Sequence, residues 1–315
     1  LQDAYDYTRG GNWPNAANAA GRGVFAGGDN GVGASRLNTI EFITIGSAGN
    51  VTDFGDLIAA TALKMQGQVA SSTRGLFAGG YTGGILNVIQ YITIANTGNA
   101  TDFGDLSSAR YSAGSCSSAT RGIFMGGFTN SAQDVIEYVT IANTGNVTDF
   151  GNLIRGNYYN GGLASTTRGI NTGNQVNTEE IDYITIANTG NATDFGNLTT
   201  QAAGIYCCSN NVRGVLGGGT AGGNFADIQY ITIGTTGNSV DFGDLLITNG
   251  LFQGTAVSNT TRGVFGGGLA GASLRINTMH SITIATTGDS VDFGDLSNDN
   301  YALAGTSNAH GGIAA

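Results

Sequence analysis

The sequence predicts an all-β fold assembled from repeated four-stranded sheets, and three observations carry that reading. One phrase recurs six times: it opens Arg-Gly-apolar-apolar-x-Gly-Gly, as in Arg74-Gly-Leu-Phe-Ala-Gly-Gly80, and closes Asp-Phe-Gly-Asp/Asn-Leu, as in Asp102-Phe-Gly-Asp-Leu106. The repeat arginines are spaced 45 to 52 residues apart, the length of one four-stranded propeller blade. No segment carries a convincing 3.6-residue apolar period, whereas runs such as Ile89-Gln-Tyr-Ile-Thr-Ile94 are rich in β-formers. An unbroken array of this kind closes into one β-propeller domain spanning residues 1–315.

Four segments, A to D, make each repeat. B begins at Arg22, Arg74, Arg121, Arg168, Arg213 and Arg262. C begins at Ile40, Ile89, Ile136, Ile181, Ile228 and Met279, and runs into Asn-Thr-Gly-Asn or a close relative, a tight-turn signal. D carries Phe54, Phe103, Phe150, Phe195, Phe242 and Phe293. A lies between one D and the next B and is made of small residues, as in Tyr111-Ser-Ala-Gly-Ser-Cys-Ser-Ser118, which suits a strand beside a crowded axis.

Two spacings are constant. The repeat arginine stands six residues before the second glycine position in all six copies, and the start of C stands thirteen before the aspartate of D. The glycine-to-C interval varies from 7 to 12 residues, and the interval from the D leucine to the next arginine is 15 or 17. In an up-and-down blade the A–B and C–D turns share one face and the B–C and D–A connections share the other. One face is therefore constant in length and the other holds every insertion, the mark of a binding face in repeat proteins.

The repeats run over about 22–73, 74–120, 121–167, 168–212, 213–261 and 262–309. Asp3-Ala-Tyr-Asp-Tyr7 aligns with a D segment, and the tail from Asn300 reads as a further A and B. The expectation is seven blades, with residues 1–21 and 297–315 meeting in a closing blade that lacks its C strand; six blades is the alternative.

Composition excludes several classes. Glycine is 54 of 315 residues, far above the usual ~7%. Net charge is −10 with a single lysine, Lys64, which disfavours binding to nucleic-acid phosphates. No apolar run reaches ~18 residues, so no membrane span is expected. Cys116 and Cys208 fall at one repeat position, which favours small buried thiols over a disulfide framework or a metal site. Leu1 opens the chain without a visible signal peptide, which reads as a processed or excised segment.

The diglycine after an apolar strand, the tyrosine in C and the aromatic in D resemble the kelch repeat over essentially the whole chain. The D-strand tryptophan of that family is phenylalanine here, and the fourth diglycine is broken as Arg168-Gly-Ile-Asn-Thr-Gly-Asn174. The resemblance implies a propeller whose B–C and D–A loops bind partners. The wording Thr-Arg-Gly-apolar-Phe-x-Gly-Gly and Ile-Thr-Ile-Ala-x-Thr-Gly-Asn also resembles repetitive structural and tail-fibre proteins of marine cyanophages, implying an extracellular or virion location.

Each charged set has a structural reading beside a chemical one. The repeat arginines and the leading D aspartates, Asp53, Asp102, Asp149, Asp194, Asp241 and Asp292, are equal in number and are expected on the constant face. Arg–Asp pairs tying strands or blades together are favoured over an anion-binding ring. Asp289, Asp292 and Asp295 are spaced like calcium ligands but lack an established calcium pattern, so no cofactor is assigned and calcium is the alternative. Asn50, Asn99, Asn146 and Asn191 head glycosylation-type triplets that also fit hairpin turns. His280 and His310 both stand where a repeat departs from its consensus, and no nucleophile, metalloprotease or phosphate-loop motif appears. An enzyme is not expected.

What remains is the variable face. Its candidate ligand-binding residues are Arg36, Tyr81, Phe128, Tyr158, Tyr159, Phe252 and Arg275, aromatics and arginines among Asn, Ser, Thr and Gly. Such a surface stacks on sugars or protein and hydrogen-bonds adaptably. Trp13, the only tryptophan, is assigned to the first A segment. The expected role is a non-catalytic recognition module for a glycan or protein receptor. The alternative is a subunit that joins others of a fibre or virion through its incomplete blade.

Overall fold

The computed structural model describes residues 20–31, 36–61, 68–173, 175, 179–271 and 273–313. The expectations for Asp3–Tyr7, Trp13 and Lys64 fall outside them. Every regular element among the described residues is a strand, and the strands form six antiparallel sheets around an axis.

The chain is a six-bladed β-propeller, not the seven-bladed one expected. Blade 1 takes its B, C and D strands from Arg22–Ala26, Thr39–Thr44 and Thr52–Asp56. Its A strand is Ala304–Ser307, which pairs with Arg22–Ala26 through Gly23↔Ser307 and Ala26↔Ala304. The tail strand read as part of a seventh blade therefore completes the first. In the other five blades A to D follow in chain order: Gln68–Ala70 opens blade 2, Gly114–Ser117 blade 3, Gly161–Ala164 blade 4, Tyr206–Ser209 blade 5 and Thr255–Ser258 blade 6. Each of the six blades has its A, B, C and D strands, with two further short strands in blade 6, so among the described residues no blade is left open.

The tail after this strand does not form the B segment expected of it. Residues 308–313 cross the axial mouth on the constant face. Gly311 N donates to Ser209 O (3.0 Å), and His310 Nε2 lies 3.1 Å from Ser117 Oγ and 3.2 Å from Ala70 O. Side chains at positions 311 and 312 would collide with backbone carbonyls of Ala164, Asn210 and Ser117, so only glycine fits there. Behind this plug lies an axial cavity of about 60 Å3 lined by small residues, among them Cys116, Cys207 and Cys208. All three thiols are free, and burial pushes those of Cys116 and Cys208 up to about 12.

The hydrophobic core is six clusters, each spanning one seam between adjacent blades. Phe54 and Ile40 of blade 1, for example, pack with Phe77 and Ile92 of blade 2. The D-strand phenylalanine meets the C-strand aromatic of its own blade edge-to-face, at 5.9 to 6.1 Å between centroids in blades 1 to 5.

The invariant wording describes the seams. The turn glycine of each blade donates its N–H to the carbonyl of the preceding blade's D phenylalanine, always at 2.7 Å, as Gly98 does to Phe54. The turn asparagine (Asp289 in blade 6) accepts the D-strand N–H two residues beyond that phenylalanine, at 3.0 Å in all six seams. The middle glycine of Asp-Phe-Gly is required because that turn backbone packs directly on it. At Gly104, φ is +150° and a Cβ would strike the carbonyl of Gly145. Asn50, Asn99, Asn146 and Asn191 are thus seam residues, and the Asp289 carboxylate serves the same hydrogen bond.

The repeat arginines also join blades, but not through aspartate. Each donates to the carbonyl at the C–D turn of the next blade, Arg22 to Ile94, Arg121 to Ile186 and on around to Arg262 with Ile45, at 2.8 to 3.1 Å. Each also lies over an aromatic ring of its own blade, at 4.1 to 4.7 Å in blades 1 to 5. Asp53, Asp102, Asp149, Asp194, Asp241 and Asp292 are all exposed. Among the described residues the ion pairs are Arg110–Glu137 and Arg155–Glu180, so the expected Arg–Asp pairing is corrected. Turn carbonyls at a buried seam need a donor, while an exposed carboxylate is well served by water.

In the fourth blade Asn171 stands where other blades carry an apolar side chain. It is buried and bonded to Asn160, which also donates to Met125 O at 3.1 Å.

Candidate ligand-binding face

The face opposite the plug is built by the B–C and D–A loops. Among the described residues, the D–A segments entering blades 3, 4, 5, 6 and 1 approach the axis through a residue with positive φ: Ser112 (57°), Tyr159 (58°), Gly204 (65°), Gln253 (57°) and Ala302 (58°). These residues are chained by backbone hydrogen bonds around the mouth, from Tyr159 N to Ser112 O, Gly204 N to Tyr159 O, Gln253 N to Gly204 O and Ala302 N to Gln253 O. Four of the five are not glycine, so the ring of bonds holds a backbone conformation that carries about 1 kcal/mol or more of strain per residue.

The residue just before each strained position carries the side chain that faces the loops. It is Tyr111, Tyr158, Ala203, Phe252 and Tyr301 in turn, and each is joined through its backbone to the B–C loop of the blade it enters; the Tyr158 carbonyl accepts Gln175 N at 3.1 Å. Tyr111 pairs with Phe128, Ala203 with Thr220, Phe252 with Leu269 and Tyr301 with Asp29. D–A and B–C loops are thereby tied into one surface.

Six rings run across that surface in unbroken contact. The centroid distances are 6.4 Å for Tyr81–Tyr111, 5.4 Å for Tyr111–Phe128, 4.9 Å for Phe128–Tyr158, 5.3 Å for Tyr158–Tyr159 and 5.8 Å for Tyr159–Phe252. All six are partly exposed. Arg36 lies over Tyr81 at 4.8 Å, and Arg275 over Tyr301 at 4.9 Å. Burial raises the Tyr159 hydroxyl above its ordinary range, and the neighbouring Tyr111, Tyr158 and Tyr301 hydroxyls raise it further. Burial likewise raises Tyr111, followed by Tyr158 and Tyr81. Five hydroxyls of this face, those of Tyr81, Tyr111, Tyr158, Tyr159 and Tyr301, are therefore linked through these neighbours.

A buried ion pair supports the arc from below. Arg110 and Glu137 are fully desolvated and paired, and Arg110 is the chain neighbour of Tyr111. Its backbone is clamped as well: Arg110 N donates to Leu86 O (3.0 Å), and its carbonyl accepts Gly80 N (3.1 Å), the residue before Tyr81. Equivalent C-strand positions secure other loops. The Gln90 carboxamide accepts Ile58 N and that of Gln229 accepts Thr199 N, each at 2.9 Å.

The seven residues anticipated from sequence thus lie on one face. Arg36, Tyr81, Phe128, Tyr158, Tyr159 and Phe252 are joined in one contact chain through Tyr111, and Arg275 lies over Tyr301. Sequence reasoning missed Tyr111 and Tyr301. Tyr111 is ten residues before its repeat arginine, the offset of Tyr158 and Phe252, so aligning the D–A segments on that arginine would have found it. Among the described residues no three His, Cys, Asp or Glu side chains gather as a metal site would require, and no helix is long and apolar enough to cross a membrane.

No protein-family model matches this chain, and no curated protein matches it.

Proposed function

We propose that the chain is a non-catalytic recognition module that uses the loop face to bind a receptor, with a glycan as the better-fitting partner, on an extracellular or virion structure. The observation that carries this reading is the unbroken, partly exposed arc from Tyr81 to Phe252. Aromatic planes backed by hydroxyls, amides and glycine backbone suit the alternating apolar and polar faces of sugars. The rigid strained ring beneath means little ordering is needed on binding. The resemblance of the repeat wording to tail-fibre proteins of marine cyanophages supports the proposed location. The same resemblance, with the diglycines and the C and D aromatics, supports a kelch-like origin for the repeat. The recognition role calls for no bound metal. The rival role, assembly with other subunits, loses the unfinished blade as its proposed route, because each of the six blades has its A to D strands.

The test is a glycan array probed with the intact protein and with Tyr81→Ala, Phe128→Ala and Tyr159→Ala. Stacking contributes about 1–3 kcal/mol per ring by analogy with aromatic platforms for bases, so each variant should lose roughly tenfold or more in affinity with its fold intact. Absence of any glycan binding, or binding indifferent to all three changes, would refute the reading.

A further inference from the structure

Blade 6 differs from the others at the loop face. Leu251–Phe252 and Leu269–Ala270 pair as short strands, and Leu269–Ala270 continues the pairing onto Leu274–Thr283. In blades 1, 3 and 5 the same loops meet at single bridges among the described residues. The extra sheet fixes Phe252 at the end of the aromatic arc, where its ring also covers Gly204 so closely that a Cβ there would collide with it.

Beside Phe252 opens a groove of about 710 Å3 between the loops of blades 5 and 6, within the range that holds small ligands. Its walls carry Thr220, Asn224, Thr248 and Asn249, with Leu269 and glycine backbone completing them, and none of its nine lining residues is charged. Asn224 commits its amide nitrogen to the carbonyls of Leu269 (3.0 Å) and Gly271 (2.5 Å), which ties the two walls together and leaves its carbonyl oxygen as an acceptor. Thr248 and Asn249 are exposed. One aromatic plane, several hydroxyl and amide groups and no counter-charge describe a subsite for a neutral sugar ring. Of the arginines of this face, Arg36 lies over Tyr81 at the opposite end of the arc, and Arg275, the cross-strand partner of Leu269, is not among the lining residues and lies over Tyr301 at 4.9 Å.

Resting on the proposed glycan recognition, we propose that this groove is the primary subsite, that it takes an uncharged sugar residue stacked on Phe252, and that the remaining rings serve as an extended platform. The chain's own net charge of −10 acts against acidic glycans in the same direction.

The experiment measures affinity for matched panels of neutral and of uronic or sulfated oligosaccharides, at two salt concentrations, for the intact protein, Phe252→Ala and Gly223→Trp. Gly223 lines the groove with open space where its side chain would be, so tryptophan there obstructs the groove without disturbing the core. It keeps the test decisive should Phe252→Ala fail to fold. The expected result is binding of neutral oligosaccharides with little salt dependence, reduced tenfold or more by either change. Neutral binding unaffected by Gly223→Trp but lost in Tyr81→Ala would overturn the groove and leave the wider glycan reading standing. Selection of acidic glycans alone, with a steep salt dependence, would also overturn the groove. No glycan binding at all would overturn both.

Discussion

Asn308 Oδ1 accepts the backbone N–H of Arg22 at 2.8 Å, across 286 residues of chain. Asn259 does the same for Arg262 and Asn210 for Arg213, each at 2.7 Å, but from three residues away inside a continuous A–B turn. Ser71, Ser118 and Ser165 do so in the remaining blades at 3.1 Å. Blade 1 therefore has an A–B turn in every respect except the covalent one.

That bond should be measurable. Asn308→Ala leaves the Arg22 N–H unpaired at the closure and should lower unfolding free energy by about 1–3 kcal/mol, read by urea denaturation. Asn259→Ala removes the same bond where the turn is covalent. A loss at Asn308 clearly smaller than at Asn259 would mean the tail strand contributes little to closing the ring.

The seam glycines make a sharper prediction. Gly104→Ala drives a Cβ into the Gly145 carbonyl at a φ of +150°, and should cost about 3 kcal/mol or more through overpacking and backbone strain. Gly84→Ala, where nothing lies within 4 Å, should be within about 0.5 kcal/mol of the parent protein. Equal thermal stability of the two variants would refute the account of the Asp-Phe-Gly wording.

Glu137→Ala strands the Arg110 guanidinium, whose Nε and second terminal nitrogen already have no partner, in a buried site. Breaking such a pair costs about 3–5 kcal/mol. Because Arg110 adjoins Tyr111, the variant should also disturb the aromatic arc, visible as a changed near-ultraviolet circular dichroism of the tyrosines. Replacing both partners, as in Arg110→Met with Glu137→Leu, should recover most of the stability. A stable Glu137→Ala with unaltered spectrum would show the pair to be dispensable.

Two buried groups give opposite pH dependences. Burial, then the nearby Glu180, pushes the Asp182 carboxyl up to about 7. The folded state thus holds its proton more tightly than the unfolded chain, where a carboxylate titrates near about 3.9. Its stabilising contribution is full below that value and is lost as pH rises to 7. Burial in the axial plug pushes His310 down to about 4, so its contribution is full above about 6.5, where the unfolded imidazole is neutral, and is lost as pH falls to 4. Asp182→Asn should gain most over the parent at pH 8 and least at pH 4. The penalty of His310→Gln should be largest near pH 7 and shrink toward pH 4. Melting curves at five pH values with parallel profiles for parent and variants would contradict both assignments.

The all-β repeat was legible because the seams demand the same residues six times. Gly104 and its equivalents, Asn99 and its equivalents, and the six arginines each meet the same backbone of a neighbouring blade, so the constraint repeats at constant spacing. The blade count was not legible for a related reason: Ala304–Ser307 reads as one more A strand, and a pairing made without a connecting turn leaves no local mark. The arginines misled because counting charges suggests ion pairs, whereas the unmet need at each seam is for a donor to a turn carbonyl. The loop face was legible as a face through its variable lengths, and Tyr158 and Phe252 through their residue type. The contact chain joining them depends on Tyr111, which sits at the end of a small-residue run and reads as part of the inner strand.

The B–C loops of blades 1, 2, 3, 5 and 6 are closed at the base by one and the same backbone bond, from the first glycine of the diglycine to the residue before the repeat start of C, as Gly79 N donates to Val88 O and Gly267 N to Thr278 O. Those five positions are therefore interchangeable sockets. A glycine-to-strand C segment moved from blade 6 to blade 2 would arrive with the same entry and exit directions, and new combinations of rings and amides could be composed on this surface without altering the ring that supports them.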